Sequence, residues 1–262
     1  MKTDFTTSPS ITQDEPDLSL IIACYDEETQ LQDSVRQVID TLDMMKINYE
    51  LIFVDDCSRD RTREIIDELI THYPQKNIKK IFHKKNTGRG KTVSDGFKIA
   101  RGDVIGYIDI DLEVHARYIP DFYIAIRSGA DVAIAHRIYN FKIGSIDRYM
   151  MSRGYNILLR RLLRIPFTDT EAGYKFFKHD KLLDFIDEIN DPGWFWDSEV
   201  MVRAYFRGCR IVEIPCLFLR RFDKVSTVNG LKDTLYYLKK VFQFRKKLQP
   251  ISKERSKHDS MS

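Results

Sequence analysis

From Leu18 onward the chain alternates short apolar, β-branched runs with longer stretches of helical period, and no other feature restricts its fold as tightly. Residues 18–24, 50–54, 78–82, 104–108 and 131–135 read as strands, and residues 30–46, 61–73, 91–100 and 118–127 read as the helices between them. A strand separated from the next by a helix cannot form a hairpin with it, so it pairs parallel through a right-handed crossover. The expected fold class is therefore α/β, a Rossmann-like mixed but mostly parallel sheet sandwiched by helices in a single domain. After Arg137 the alternation breaks.

At 262 residues and 43% hydrophobic content the chain can bury one large core. Basic and acidic residues, 42 and 39, nearly cancel, so any basic patch is local. The basic segments also lack interleaved aromatics on a sheet, and no nucleic acid partner is expected. Cys24, Cys57, Cys209 and Cys216 show neither paired spacing nor interleaved histidines, which predicts free thiols in a reducing compartment rather than a zinc site. No apolar stretch reaches the roughly 20 residues that cross a bilayer, and the first 17 residues hold no signal-peptide core, so a soluble or peripheral protein is expected. Residues 1–17 and 251–262, rich in Ser, Thr and charge, are expected to be disordered.

Asp109-Ile-Asp111 directly follows the apolar run at 104–108, which delivers two carboxylates to the C-terminal end of a buried strand. Open α/β sheets bind ligands at that edge. Carboxylates held there need a neutralising partner, and a divalent cation carrying a phosphorylated substrate supplies one, so a nucleotide-diphosphate site is expected. Three polar loops follow the other strands: Tyr25-Asp-Glu-Glu28, Asp55-Asp-Cys-Ser58 and Asn86-Thr-Gly-Arg-Gly-Lys91. Taken singly, Asp55, Asp56 and Ser58 can equally cap a helix, and the glycines can simply relax a turn. Gathered beside Asp109, they offer one crevice with acceptors for a base, ligands for a metal and backbone donors for phosphate.

Eight segments follow one another along the chain: Leu20-Ile-Ile-Ala-Cys-Tyr-Asp-Glu-Glu28, Phe53-Val-Asp-Asp-Cys-Ser58, Asn86-Thr-Gly-Arg-Gly-Lys91, Ala100-Arg-Gly-Asp103, Asp109-Ile-Asp-Leu-Glu113, Asp169-Thr-Glu-Ala-Gly-Tyr-Lys175, Phe195-Trp-Asp-Ser-Glu199 and Ile211-Val-Glu-Ile-Pro215. In this order they resemble family-2 glycosyltransferases of the GT-A fold, specifically polyprenyl- or dolichyl-phosphate hexosyltransferases that move mannose or glucose. The resemblance covers roughly residues 18–228. It implies that Ala23, Tyr25, Glu27, Asp56, Gly90, Lys91, Asp109 and Arg137 bind the nucleotide sugar, with Asp56 accepting from the base and Asp55 supporting it. It further implies a Mg²⁺ or Mn²⁺ ion on Asp109, Asp111 and Glu113, which would take up charge on the departing diphosphate. Lys175, Arg220, Arg221 and Lys224 are implied at the phosphates of donor or acceptor. For Arg137 an ordinary salt bridge is the competing reading. The sequence departs from the family at Ala23, where proline is usual, at Asp26, where asparagine is usual, and at Cys57, where glycine is common; UDP or GDP as the donor nucleotide stays open.

The implied reaction is inverting transfer of a hexose from a nucleotide sugar to polyprenyl phosphate, with Asp109 and Asp111 central. Asp197 stands where relatives that glycosylate hydroxyls carry a general base, so a hydroxyl acceptor on a glycan or lipid-linked saccharide is the alternative. A nucleotide-sugar-binding subunit without turnover is a third.

Two basic amphipathic segments bracket the acceptor half. Met151, Tyr155, Leu158, Leu159 and Leu162 form one helical stripe opposite Arg153, Arg160 and Arg164. Leu231, Leu235, Leu238 and Phe242 repeat the pattern within an expected helix at 229–250, among Lys239, Lys240, Arg245, Lys246 and Lys247. Each can pack on the core with a solvated basic face or lie on anionic lipid. Their pairing leads to the expectation of a cytoplasmic protein attached peripherally to a membrane face, with a membrane-embedded protein as a further candidate partner.

Overall fold

The structure is a computed structural model and describes residues 15–139, 160–163, 165–219 and 240–246. The strands are β1 (Leu18–Cys24), β2 (Tyr49–Asp55), β3 (Asn77–Phe82), β4 (Val104–Asp109), β5 (Val132–Tyr139), β6 (Tyr174–Lys178) and β7 (Ile211–Phe218). Helices α1 (Leu31–Met45), α2 (Thr62–His72), α3 (Arg89–Ile99) and α4 (Ile119–Arg127) alternate with the first five strands; α5 (His179–Leu183) and α6 (Trp196–Phe206) follow β6. All strands join one sheet in the order β3-β2-β1-β4-β6-β5-β7.

The first half follows the expected pattern. Leu31, Val35, Val38, Ile39 and Leu42 recur at three- and four-residue spacing and form the buried face of α1. β2 is buried along its whole length and β1 at all but Ala23, because helices cover both faces of the central strands. β3, at the sheet edge, carries Lys79 and Lys80 and is only partly buried, which discourages pairing with a further strand. Sheet pairing begins just ahead of the expected boundary at residue 18. Asp17 N–H donates to Asn48 O (2.8 Å), and Asp103 N–H donates to Pro16 O (3.2 Å). Backbone groups beside buried strands must find partners, so the chain is tied down two residues early.

The sequence pattern predicts no strand beyond β5, yet two more join the sheet. β6 runs antiparallel to both β4 and β5, wedged between them, and β7 extends the sheet parallel to β5. β5 itself continues to Tyr139, past the expected end at 135. The antiparallel entry of β6 has a direct consequence for the site. Tyr174 pairs with Ile108, so the residues just ahead of β6 abut the C-terminal end of β4.

Residues 160–163 and 240–246 are helical. Within them Arg160 and Phe242 are exposed, while Leu163, Val241 and Phe244 are buried. Phe244 packs on Phe195 with ring centroids 5.5 Å apart. The rest of the two amphipathic segments, the outer terminal residues, and Arg220, Arg221 and Lys224 lie outside the described residues. Among the described residues no helix is long and apolar enough to cross a membrane. All four cysteines are free thiols, as expected.

Candidate active site

Asp109 ends β4 in register with Ala23 of β1, at the C-terminal edge of the parallel strands. Its N–H donates to Gly173 O (2.8 Å), and the turn beyond it closes through Leu112 N–H to Asp109 O (3.2 Å), with Leu112 in the left-handed region at φ 51°. Asp111 accepts from Glu113 N–H at 3.1 Å. Asp109, Asp111, Glu113, Val114, Arg137, Gly173 and Phe218 line one cleft. A larger cavity, lined by Phe167, Tyr205, Cys209 and Glu213 among others, shares none of these residues.

The cleft carries hard oxygen donors of the kind Mg²⁺ and Mn²⁺ prefer. Among the described residues no three acidic, histidine or cysteine side chains converge into a preformed metal cage. Mg²⁺ characteristically takes one or two carboxylates and completes its shell with water and substrate phosphates. Asp109 is 43% exposed at its side chain, and with Asp111 and Glu113 on the same cleft wall the donor set fits an ion that arrives with a diphosphate.

Behind Asp109 lies a chain of buried charges. Arg89, at the start of α3, reaches Asp109 with one terminal nitrogen and Asp197 of α6 with the other. Its guanidinium lies 5.5 Å from the Tyr107 ring centroid and 5.3 Å from that of Trp194. Asp197 is 2% exposed, and its other oxygen meets Tyr107 Oη and Lys175 Nζ, the latter at 2.6 Å. Burial alone would raise the Asp197 pKa, but Arg89 and Lys175 beside it hold the carboxyl below its usual range. Burial pushes the Lys175 ammonium down even with Asp197 against it.

Lys175 does not stand where a phosphate ligand would. It is 0% exposed, and its ammonium bonds Asp197, Tyr107 Oη and Ala172 O. An ammonium has three N–H donors, so none is left for a phosphate. Arg137 is not an ordinary surface pair either. Asp169 grips its guanidinium through two bonds of 2.6 and 2.9 Å, and the Phe218 ring lies 5.4 Å away. Burial would lower its pKa; the Asp169 carboxylate holds it above the usual arginine value. Arg137 stays a fixed cation on the cleft wall.

The three polar loops meet as expected. Asp26 N–H donates to Ser58 Oγ (3.0 Å), Glu27 N–H to Thr62 Oγ1 (2.8 Å), and Gly88 N–H to Asp56 Oδ2 (2.8 Å). Tyr25 is exposed, with the Arg59 guanidinium 5.6 Å from its ring. Asp55 is fully buried and takes Ser58 and Arg63, which suits a supporting role. Asp26 and Cys57 have φ of 55° and 67°. Those left-handed conformations are the ones asparagine and glycine adopt most cheaply, which accounts for the family's residues at both positions.

Gly90 and Lys91 are placed differently from a phosphate cradle. A Cβ on Gly90 would lie 2.4 Å from Trp196 Cβ, and Lys91 N–H donates to Pro192 O at 3.2 Å, so this turn packs against the approach to α6. Lys91 Nζ pairs with Asp95 on its own helix. Arg89 directly precedes Gly90 and Lys91 in the same loop, and nothing in the sequence singles it out. Tyr107, Asp169, Gly173, His83 and Thr87 were likewise invisible as site residues, because each acts through a partner distant in the chain.

Residues 19–185 match the family described as Glycosyl transferase family 2. The chain belongs to glycosyl transferase family 2. It is 31% identical over 221 residues to glycosyltransferase AglD of Haloferax volcanii, an alignment that covers 82% of this chain and 35% of that protein. It is 31% identical over 235 residues to the dolichol-phosphate mannosyltransferase of Pyrococcus furiosus, covering 87% and 64%. With the dolichyl-phosphate beta-glucosyltransferase of Dictyostelium discoideum it shares 24% over 212 residues, covering 75% and 64%. The chain thus spans less than two thirds of the length of each of these relatives. Among solved structures it resembles glucosyl-3-phosphoglycerate synthase from Mycobacterium tuberculosis at a TM-score of 0.64 and 15% identity, over 88% of this chain and 80% of that one. The complex of that enzyme with Mn²⁺, UDP and glucosyl-3-phosphoglycerate gives 0.61 and 16%, over 92% and 84%. These likenesses establish the fold, which is GT-A.

Proposed function

We propose that this family-2 chain is an inverting, metal-dependent hexosyltransferase that moves a sugar from a UDP- or GDP-linked donor to a polyprenyl phosphate, dolichyl or undecaprenyl. The observation that carries the reading is the unequal state of two carboxylates at the same edge. Asp109 faces the cleft with its side chain 43% exposed, while Asp197 is buried and neutralised by Arg89 and Lys175. A base that deprotonates a hydroxyl needs a free oxygen and a pKa near the working pH. Asp197 has neither. A phosphate acceptor is already anionic and needs no such base. The names of the Pyrococcus and Dictyostelium relatives support the same acceptor class.

Asp109, Asp111 and Glu113 would hold the divalent ion, whose chemistry is to stabilise negative charge on the diphosphate leaving group. Arg137, fixed by Asp169, adds a preorganised positive charge on the same wall. Gly173 and Arg89 keep Asp109 in place, and Lys175 keeps Asp197 ionised and inert. Arg220, Arg221 and Lys224 are proposed as the cations that dock the acceptor phosphate. The proposed setting is the cytoplasmic face of a membrane, with peripheral attachment through the basic segments and a membrane-embedded protein as a candidate partner.

The test is a screen of UDP- and GDP-linked hexoses with Mn²⁺ or Mg²⁺ against a short polyprenyl phosphate and against hydroxyl acceptors. Product on the phosphate that disappears with chelator is the expected result. Transfer to hydroxyls alone, abolished by Asp197→Asn without loss of nucleotide binding, would sink the reading in favour of a base-catalysed enzyme.

A further inference from the structure

The hydrogen bonds around Asp56 restrict which nucleobase the donor site can accept. Asp56 follows β2, and Asp109 ends β4; the two strands flank β1 on either side. Two strand spacings put their ends about 10 Å apart, a distance that a ribose and its phosphates can bridge. A nucleotide whose diphosphate sits at Asp109 therefore brings its base to the Asp56 loop.

Asp56 is only 3% exposed. His83 Nδ1 lies 2.8 Å from Oδ1, and because an ionised carboxylate has no hydrogen to give, that nitrogen must carry the proton and donate. Thr87 N–H donates to the same oxygen at 2.7 Å, and Thr87 Oγ1 lies 2.8 Å from it. Both lone pairs of Oδ1 are taken whichever way the threonine hydroxyl turns. Oδ2 receives Gly88 N–H at 2.8 Å and retains one acceptor position. Burial would raise the Asp56 pKa, but His83 and the Thr87 and Gly88 donors hold it below the usual range, so the carboxylate stays ionised and purely an acceptor.

Guanine presents two adjacent donors, N1–H and the N2 amino group, and pairs with a carboxylate through both oxygens. Uracil presents one, the N3 imide. Cytosine presents an acceptor at N3 beside its N4 amino donor, so a carboxylate that accepts from the amino group also meets the repelling N3 lone pair. We infer that Asp56, with a single open acceptor position, selects a uracil-type imide and that the donor is a UDP-linked hexose. This rests on the proposed nucleotide-sugar site and deepens it. His83 and Thr87 become specificity-determining residues, because they occupy the oxygen that guanine would need.

The experiment is calorimetric titration of the full chain with UDP, GDP and CDP at one fixed Mn²⁺ concentration, so that the diphosphate contribution cancels. UDP is expected to bind at least about tenfold more tightly than GDP, the cost of leaving one buried donor unpaired, and CDP more weakly still. His83→Ala frees an acceptor position on Oδ1 and should narrow the UDP-to-GDP ratio. Asp56→Asn should narrow the gap between UDP and CDP, because an amide can donate to cytosine N3. Equal or tighter binding of GDP by the wild-type chain overturns the inference, and hexose transfer from a GDP-sugar to polyprenyl phosphate would do so while leaving the proposed reaction intact. Binding of none of the three nucleotides would overturn both.

Discussion

Gly173 offers the sharpest test of how the site is held together. A Cβ built on it would lie 1.7 Å from Asp109 Oδ2, 2.3 Å from Asp109 Cγ and 2.6 Å from an Arg89 terminal nitrogen, whereas ordinary contact begins at 3.4 Å. In Gly173→Ala the carboxylate must therefore retreat by more than about 1 Å, a misplacement that costs on the order of 100-fold in rate when it affects reacting groups. The stability cost should sit near the low end of the roughly 1–3 kcal/mol for overpacking, because the Asp109 carboxylate is the partly exposed end of a side chain and can rotate. The assay pairs initial rates of hexose transfer with urea unfolding. Gly193→Ala is the control, since its Cβ would meet only Asp191 Oδ1, at 3.5 Å; its rate should be unchanged. The loss should also run through Asp109, so that Gly173→Ala adds nothing in an Asp109→Ala background. A folded Gly173→Ala protein that transfers sugar at the wild-type rate would show that Asp109 is not positioned by the bare backbone at Gly173.

Lys175→Met keeps the volume but removes the ammonium from Asp197, and breaking a buried pair costs about 3–5 kcal/mol; Arg89 remains on the other oxygen, so the lower figure is expected in urea unfolding, with part of it recovered by adding Asp197→Asn. A loss below about 1 kcal/mol, the scale of surface pairs, would mean that Lys175 is not the counter-charge described. Cys57→Gly relieves a left-handed residue whose strain is roughly 1–2 kcal/mol, against about 0.5–1 kcal/mol of added chain entropy. A higher thermal midpoint is expected for glycine but not for alanine at the same position, and equal midpoints would argue against strain at φ 67°.

The legible part of the chain was the part whose signals are local. β1, β2 and α1 declared themselves through apolar spacing, and the run before Asp109 announced a strand end with carboxylates on it. β6 did not, because five residues with a lysine at their second position carry no period, and Lys175 is buried only because Asp197, 22 residues away, neutralises it. The expectation of phosphate contact for Lys175 missed for the same reason. A lysine in a glycosyltransferase segment reads as a surface cation until its partners are known. Arg89 is inconspicuous beside Gly90 and Lys91, because its two carboxylate partners lie 20 and 108 residues away.

The α/β class, the edge of the sheet where the chemistry gathers and the family can all be read from neighbouring residues, because strand and helix periods and short acidic turns are local signals. Which of those charges face the cleft and which neutralise one another depends on contacts between residues far apart in the chain. Whether a carboxylate is available to a ligand depends on how many donors surround it. Those donors reach Asp109, Asp197 and Asp56 from other strands and helices, brought there by an antiparallel strand and a glycine with no room for a side chain.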